Sequence, residues 1–233
     1  MTVKILASGS TGNSYIISDS HTTLLLDAGI ALKQIQRGIG FKLSDVLGCL
    51  LTHEHQDHSK AGLDLMKQGI DVYTSKGTAD AMGWGGHRLH IIKSKDIFTI
   101  NTLEITAFDV THDCKEPLGF VVKSIITGEK LLCFTDTAFV KYRFTGLTHI
   151  LGECNYDKSI LLENVRLGVV NMTGARRIIN SHMSIDTFCD MLKANDLSRL
   201  QQIYLLHLSD RNSDERAFKE RVQRLTGAEV YVG

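Results

Sequence analysis

The 233-residue chain has no excess of either charge, because 26 Lys and Arg balance 26 Asp and Glu. The balance removes any global electrostatic argument for gripping a nucleic-acid polymer, though a local basic patch would still suffice. It suits a small anionic substrate held by metal at least as well. Cysteine is sparse: Cys49, Cys114, Cys133, Cys154 and Cys189 are scattered, odd in number and never arranged as C-x-x-C. That excludes a disulfide framework and a thiolate zinc ribbon. Cys49 and Cys133 sit inside apolar runs and read as small buried hydrophobes. Pro117 is the single proline, and no Ser/Pro-rich linker or charge block interrupts the chain, so one domain over 1–233 is expected. No apolar run approaches transmembrane length, and "MTVKILASGS" enters a strand pattern without a signal peptide. A cytoplasmic protein with no membrane partner is the expectation.

What the chain does have is a series of short apolar runs separated by turn signals. They include "VKILAS", "SYIIS", "TLLLDAG", "VLGCLLTH", "DVYTS", "LEITAFDVTH", "GFVVKSII", "KLLCFTDT", "HILGECN" and "QIYLLHLS". Their length and their Ile, Val and Leu content suit buried strands. Helical patterns fall over 60–68, 76–82, 158–178, 184–195 and 213–225, with Asp186 and Ser213 at or near N-caps. Ligand-type residues recur where the apolar runs end: Asp27, His53, His112, Asp136, Glu153 and His207. Side chains at strand ends converge on one rim of a layered sheet, where α/β and sandwich enzymes tend to place their sites.

"LTHEHQDHSK", residues 51–60, concentrates such side chains. His53 and His55 are two apart and point the same way on an extended segment, whereas His58 breaks that period after Asp57. Two ligand sets from one loop suit two metal ions about 3.5–4 Å apart. Imidazole and carboxylate donors without thiolate suit zinc or manganese and argue against a structural zinc site. Glu54, between two histidines, faces away and is not read as a base. Downstream, "GECN" puts Glu153 after a strand and "NSHMS" puts His182 before a helix.

The segment "THEHQDH" resembles the signature of the metallo-β-lactamase fold superfamily, and the other strand-end residues fall where that superfamily has its remaining motifs. The resemblance implies an α+β, four-layer αββα sandwich. It also implies that His53, His55 and His112 bind one metal, that Asp57, His58 and His207 bind a second, and that Asp136 bridges both. Asp27 then supports the ligands from behind. Lactamases place a cysteine where Asp136 stands, and Cys133 lies three residues too early to replace it. A bridging carboxylate, with hydroxide between the metals as the attacking group, suits in-line displacement at phosphorus. Phosphodiester cleavage also needs a proton for the leaving oxygen, which a histidine oriented by a carboxylate can supply. A Glu and a downstream His play that role in this fold's tRNA-processing and related phosphodiesterase branch, so the resemblance implies Asp57, Glu153 and His182 as catalytic residues.

Taken together, "ASGSTGN", "THEHQDH", "HDCKEPLGF" and "FTDT" resemble a compact bacterial and phage group of this fold. It contains YycJ-type proteins, described as DNA exonucleases, and anti-Pycsar phosphodiesterases, which hydrolyse cyclic mononucleotides. The stretch "SILLENVRLGVVNMTGARRIIN" departs from the YycJ-type pattern, and the chain has no domain-sized insert between His112 and His207. The resulting expectation is a hydrolase of 3′,5′-cyclic mononucleotides that counters an immune signal in a bacterium or phage-infected cell. Its cofactors are two divalent ions, zinc first and manganese as the alternative, and its quaternary state is a homodimer. The rival reading is a YycJ-like exonuclease on DNA or RNA; one from another class is an inert metal-binding interaction protein. Ser10 and Asn13 of "LASGSTGNS", with Trp84, His87 and Arg88 of "GWGGHRLH", are expected to line the substrate. Asp113, Arg176 and Arg177 read as solvent-facing.

Overall fold

The computed structural model describes residues 1–233. The chain forms two compact units, Met1–Asp109 with Cys114–Lys130, and Val110–Asp113 with Leu131–Gly233.

In the first unit, β1 (Thr2–Ala7), β2 (Ser14–Ser18) and β3 (Thr23–Leu26) pair antiparallel. Then β4 (Val46–Leu50), β5 (Val72–Thr74) and β6 (Leu89–Ile91) continue the same sheet in parallel. The helices are α1 (Leu32–Gly38), α2 (Gln56–Ser59), α3 (Gly62–Lys67) and α4 (Lys76–Met82). Leu25, Cys49, Leu51 and Val72 pack with Ile35 of α1 and Leu65 of α3, so the apolar runs of β3 and β4 form the core rather than a surface. An antiparallel meander follows in β7 (Ile97–Ile100), β8 (Leu103–Asp109) and β9 (Leu118–Ser124). Along β8, buried Leu103, Ile105 and Ala107 alternate with half-buried Glu104 and Thr106, the period of two expected of a strand. Buried Asp19, in the β2–β3 turn, fastens this unit together. It accepts from the Thr22 amide at 2.9 Å, Thr102 Oγ1 at 2.7 Å and Ser124 Oγ at 2.7 Å.

The second unit is built on parallel strands β10 (Lys130–Phe134), β11 (His149–Glu153), β12 (Gln202–Leu206) and β13 (Glu229–Val232). Its helices are α5 (Lys158–Arg166), α6 (Met172–Ser181), α7 (Ile185–Lys193) and α8 (Glu215–Thr226). β11 is buried along its whole length, as strands of parallel sheets are. Gly152 makes one close approach feasible, since a Cβ there would stand 2.3 Å from the Phe134 ring. The ring thus lies against the strand one residue before Glu153.

Several local expectations are corrected. The pattern over 158–178 is two helices, because Gly168 turns the chain at φ 73° and Asn171 starts α6 by accepting from the Gly174 amide at 2.7 Å. Ser184 and Asp214, rather than Asp186 and Ser213, cap α7 and α8 through the amides of Thr187 and Ala217. Asp186 instead sits in the first turn of α7, where its charge favours the helix dipole. Helices α1 and α2 and strands β6, β7 and β13 are too short for a periodic signal.

Candidate metal centre

β4 ends at Leu50, and the chain runs through Leu51 and Thr52 into the histidine loop, where His55 precedes the first residue of α2. Asp27, just past β3 and fully buried, organises this loop. Its Oδ1 accepts from the Thr52 amide at 2.8 Å and the Thr52 hydroxyl at 2.9 Å, and its Oδ2 meets His58 Nδ1 at 2.7 Å. The Thr52 hydroxyl, having donated to Asp27, accepts from His53 Nδ1 at 2.9 Å. One carboxylate therefore orients two imidazoles, directly and through a hydroxyl, and turns both Nε2 atoms outward as acceptors. His53 Nε2 stands 3.2 Å from His55 Nδ1. Two imidazole nitrogens on one tetrahedral ion, each about 2.0–2.1 Å from it, would be separated by roughly 3.4 Å. This donor pair fits a divalent metal. The Asp57 carboxylate lies 3.7 Å from His58 Nε2.

The glycine-rich turn is tied to the histidine loop through Asn13. Asn13 is buried; its Oδ1 accepts from the Gly9 amide at 3.0 Å and the Tyr15 hydroxyl at 2.9 Å, while its Nδ2 reaches His58 Nε2 at 3.0 Å. The Asn13 amide donates to the Asp57 carbonyl at 2.7 Å. Gly29 lies so close to that same carbonyl that a Cβ would stand 1.6 Å from it. Ser10 is exposed at the turn.

In the second unit another cluster forms off the strand ends. Glu153, at the end of β11, is fully buried and binds His182 Nδ1 at 2.6 Å and His207 Nδ1 at 3.2 Å through Oε1. Its Oε2 accepts from the amides of Thr137 at 2.7 Å and Met183 at 3.2 Å. Asp136 Oδ1 lies 3.0 Å from His207 Nδ1, and its Oδ2 lies 3.6 Å from His112 Nε2. His112 Nδ1 donates to the Ser181 carbonyl at 2.9 Å, which fixes the tautomer and leaves Nε2 as the acceptor. Ligand-type atoms of Asp136, Glu153, His182 and His207 all fall within 4.8 Å of one another.

Charge and burial compete in this cluster. Burial alone would raise the Glu153 carboxyl, but His182 and His207 outweigh it and hold the group below the ordinary range. Burial opposes protonation of His182, yet the Glu153 and Asp136 charges win and raise it. His207 is raised well above its ordinary value for the same reasons, with Asp136 the leading opponent of burial. For His112, burial prevails and lowers it.

Asp27, Asp136 and His207 also share a backbone feature, positive φ angles of 57°, 26° and 54°. For residues with a Cβ this left-handed region costs about 1–2 kcal/mol each. The chain accepts that cost where three strand ends must turn a functional side chain out of line.

The loop expected to cover substrate lies elsewhere in the first unit. Trp84 packs against the core and over Gly62, where a Cβ would meet the indole at 2.3 Å. Arg88 pairs with Asp71 at 3.1 Å and lines a cavity of about 460 Å³ that also takes in Val46, at the amino ends of β4 and β5. The histidine loop leaves the carboxyl end of β4, the opposite end of that strand from the cavity that Arg88 lines. His87 is exposed beside Arg88. Glu54 turns away from the other loop ligands, accepting from the Lys115 amide at 2.8 Å and the Thr78 hydroxyl at 3.3 Å. Sequence reasoning missed Thr52, Thr137, Ser181 and Asn155, which donates to the His207 carbonyl at 2.7 Å. Thr137, Ser181 and Asn155 act through or upon backbone groups, which leave no motif, and the Thr52 hydroxyl relay depends on Asp27, distant in sequence.

The family model described as the β-lactamase superfamily domain matches residues 22–208. Exodeoxyribonuclease WalJ of Streptococcus pneumoniae serotype 2 is 31% identical over 98% of this chain and 90% of its own length. Exodeoxyribonuclease YycJ of Bacillus anthracis is 30% identical over 91% of this chain and 84% of its own. The solved structure of the metallo-β-lactamase fold protein YhfI from Bacillus subtilis superposes with a TM-score of 0.73 at 13% identity, covering 99% of this chain and 95% of that one.

Proposed function

The chain belongs to the β-lactamase superfamily and is a metal-dependent hydrolase, and from that premise we propose that it cleaves the phosphodiester bonds of DNA from an end. The observation that carries this reading is the Glu153–His182 pair at 2.6 Å, beside Asp136 and His207. A carboxylate-held histidine with a raised pKa is the group that phosphodiester chemistry requires on the leaving-oxygen side. The curated relatives of nearly full length carry exodeoxyribonuclease names, which turns the choice of phosphodiester toward DNA.

In this reading His53, His55, Asp57, His58, His112, Asp136 and His207 would hold two divalent ions, as the family resemblance implies. Donors of nitrogen and oxygen only favour zinc, with manganese the alternative. Bound there, the ions supply Lewis acidity to the phosphoryl oxygens and to the attacking water. The protein's own groups do the rest. Asp27 fixes the imidazoles of His53 and His58. Glu153 holds His182 through Nδ1, so the proton for the departing 3′- or 5′-oxygen sits on Nε2.

A second reading, hydrolysis of 3′,5′-cyclic mononucleotides, is favoured by the balance of 26 basic and 26 acidic side chains, which suits a substrate with one phosphate. Protein loaded with zinc or manganese would be incubated with end-labelled single-stranded DNA, cyclic UMP and cyclic AMP. Stepwise release of mononucleotides from DNA upholds the first reading. Turnover of a cyclic nucleotide with DNA intact replaces it with the second. Size-exclusion chromatography with light scattering checks the homodimer that the resemblance implies.

A further inference from the structure

Between Asp136 and β11 the chain runs through "AFVKYRF", residues 138–144, without helix or strand. Exposure alternates residue by residue here: Phe139, Lys141 and Arg143 face solvent, while Ala138, Val140, Tyr142 and Phe144 are half-buried. Such a period of two places one aromatic ring and two cations on the solvent side of the segment. Phe139 keeps 47% of its surface exposed only three residues after the Asp136 carboxylate. Lys141 is steadied over the Tyr142 ring, its Nζ 5.3 Å from the centroid.

The same edge is anchored to the segment that bears His112. The Ala138 amide donates to the Thr111 carbonyl at 3.0 Å, and the Thr111 amide donates to Thr137 Oγ1 at 3.0 Å. Two residues beyond that anchor, Asp113 binds Nε of Arg177 on α6 at 3.2 Å, while its other oxygen lies 3.2 Å from His112 Nε2. The bond through Nε occupies one edge of the Arg177 guanidinium, and the side chain stays 69% exposed. A guanidinium held at its base in this way presents its fork to an incoming oxyanion.

We infer that Phe139, Lys141 and Arg143, together with Arg177 of α6, form a track for single-stranded nucleic acid leading to the Asp136–His182 cluster. The inference rests on the nucleic-acid reading of the site and deepens it. A base stacks on Phe139, and phosphates other than the scissile one meet Arg143, Lys141 and Arg177. Aromatic stacking with flanking cations is the sequence-tolerant way proteins hold single strands. A cyclic mononucleotide has no second phosphate and gains nothing from these cations.

The test is fluorescence anisotropy of a fluorescein-labelled hexathymidylate with the metal-free full-length protein in EDTA, so that binding is read without turnover. Phe139→Ala is expected to weaken binding about tenfold, and Phe139→Trp to restore it. Arg143→Gln and Arg177→Gln should each lower affinity and flatten the log–log salt dependence by about 0.7. Arg224→Gln on α8 should leave both unchanged, and circular dichroism melts confirm that each variant folds. Unaltered affinity in Phe139→Ala, an equal loss in Arg224→Gln, or no saturable binding by the wild type would each overturn the track. The two readings fail separately. DNA bound through these residues but left uncut with metal present sinks the exonuclease and keeps the track; DNA cut by Phe139→Ala with wild-type KM does the reverse.

Discussion

Asp27 contributes no atom to the proposed ions, yet it sets the tautomers of His53 and His58. Asp27→Ala should therefore lower metal affinity by about 10–100-fold, measured by competition with a chromogenic chelator, even though every proposed ligand remains. His182 makes the opposite prediction. Glu153 holds its ring at 2.6 Å. His182→Ala should lower kcat by about 10²–10⁴-fold while metal content stays near wild type; parallel loss of metal would remove His182 from the proton-donor role. At this scale much was legible. His53, His55, His58, His112, Asp136, Glu153 and His207 stood out because polar side chains interrupt apolar runs. Asn13 was less legible, since a polar residue in a glycine-rich turn looks the same whether it faces a ligand or ties two backbones together.

Elements succeed or fail on closeness. Gly29→Ala would press a Cβ onto the Asp57 carbonyl, 1.6 Å away, so the turn after β3 and the start of α2 must separate. We expect that variant to fold with reduced stability and to lose metal binding, as read by thermal unfolding and metal analysis. Asp19 joins the β2–β3 turn to Thr102 and Ser124. Burial would raise its pKa, but Ser124, Thr102 and the amides of Thr22 and His21 outweigh burial and lower it from 3.8 to about 2. A depressed folded-state pKa stabilises above the unfolded value, and that stability is lost as pH falls toward 2. Asp19→Asn should thus cost about 2 kcal/mol at pH 7 in urea unfolding, with the gap to wild type closing between pH 4 and pH 2. The long buried runs of β3, β4, β10, β11 and β12 were readable as strands. The break between α5 and α6 was not, because Gly168 inside an amphipathic pattern is tolerated in many helices and becomes a turn only through its φ of 73°.

For the whole molecule, the superfamily was legible from one loop and five strand ends, whereas the substrate was not, because irregular segments leave no periodic signal. "GWGGHRLH" attracted notice by composition and proved to be core packing and an ion pair at the amino ends of strands. "AFVKYRF" escaped notice because its alternation appears only in exposure. Metal should bear on global stability as well. If the ions bind the native state at a hundred times their Kd, EDTA removes about 2.7 kcal/mol for each independent site. Calorimetry of chelated and zinc-loaded protein should show the midpoint falling by several degrees on chelation, and an unchanged midpoint would mean that the histidine loop holds no tightly bound ion.

The buried carboxylate of Asp27 and the contact between Gly29 and Asp57 have a consequence for portability. Residues 51–60 carry every side chain that makes the loop read as metal-binding, but the parts that aim those side chains belong to β3 and to the turn that ends at Asn13. As a free peptide, or grafted onto another sheet, the decapeptide would coordinate metal no better than tethered imidazoles do. What is inherited as a unit is the neighbourhood of three chain segments, not the motif by which it is recognised.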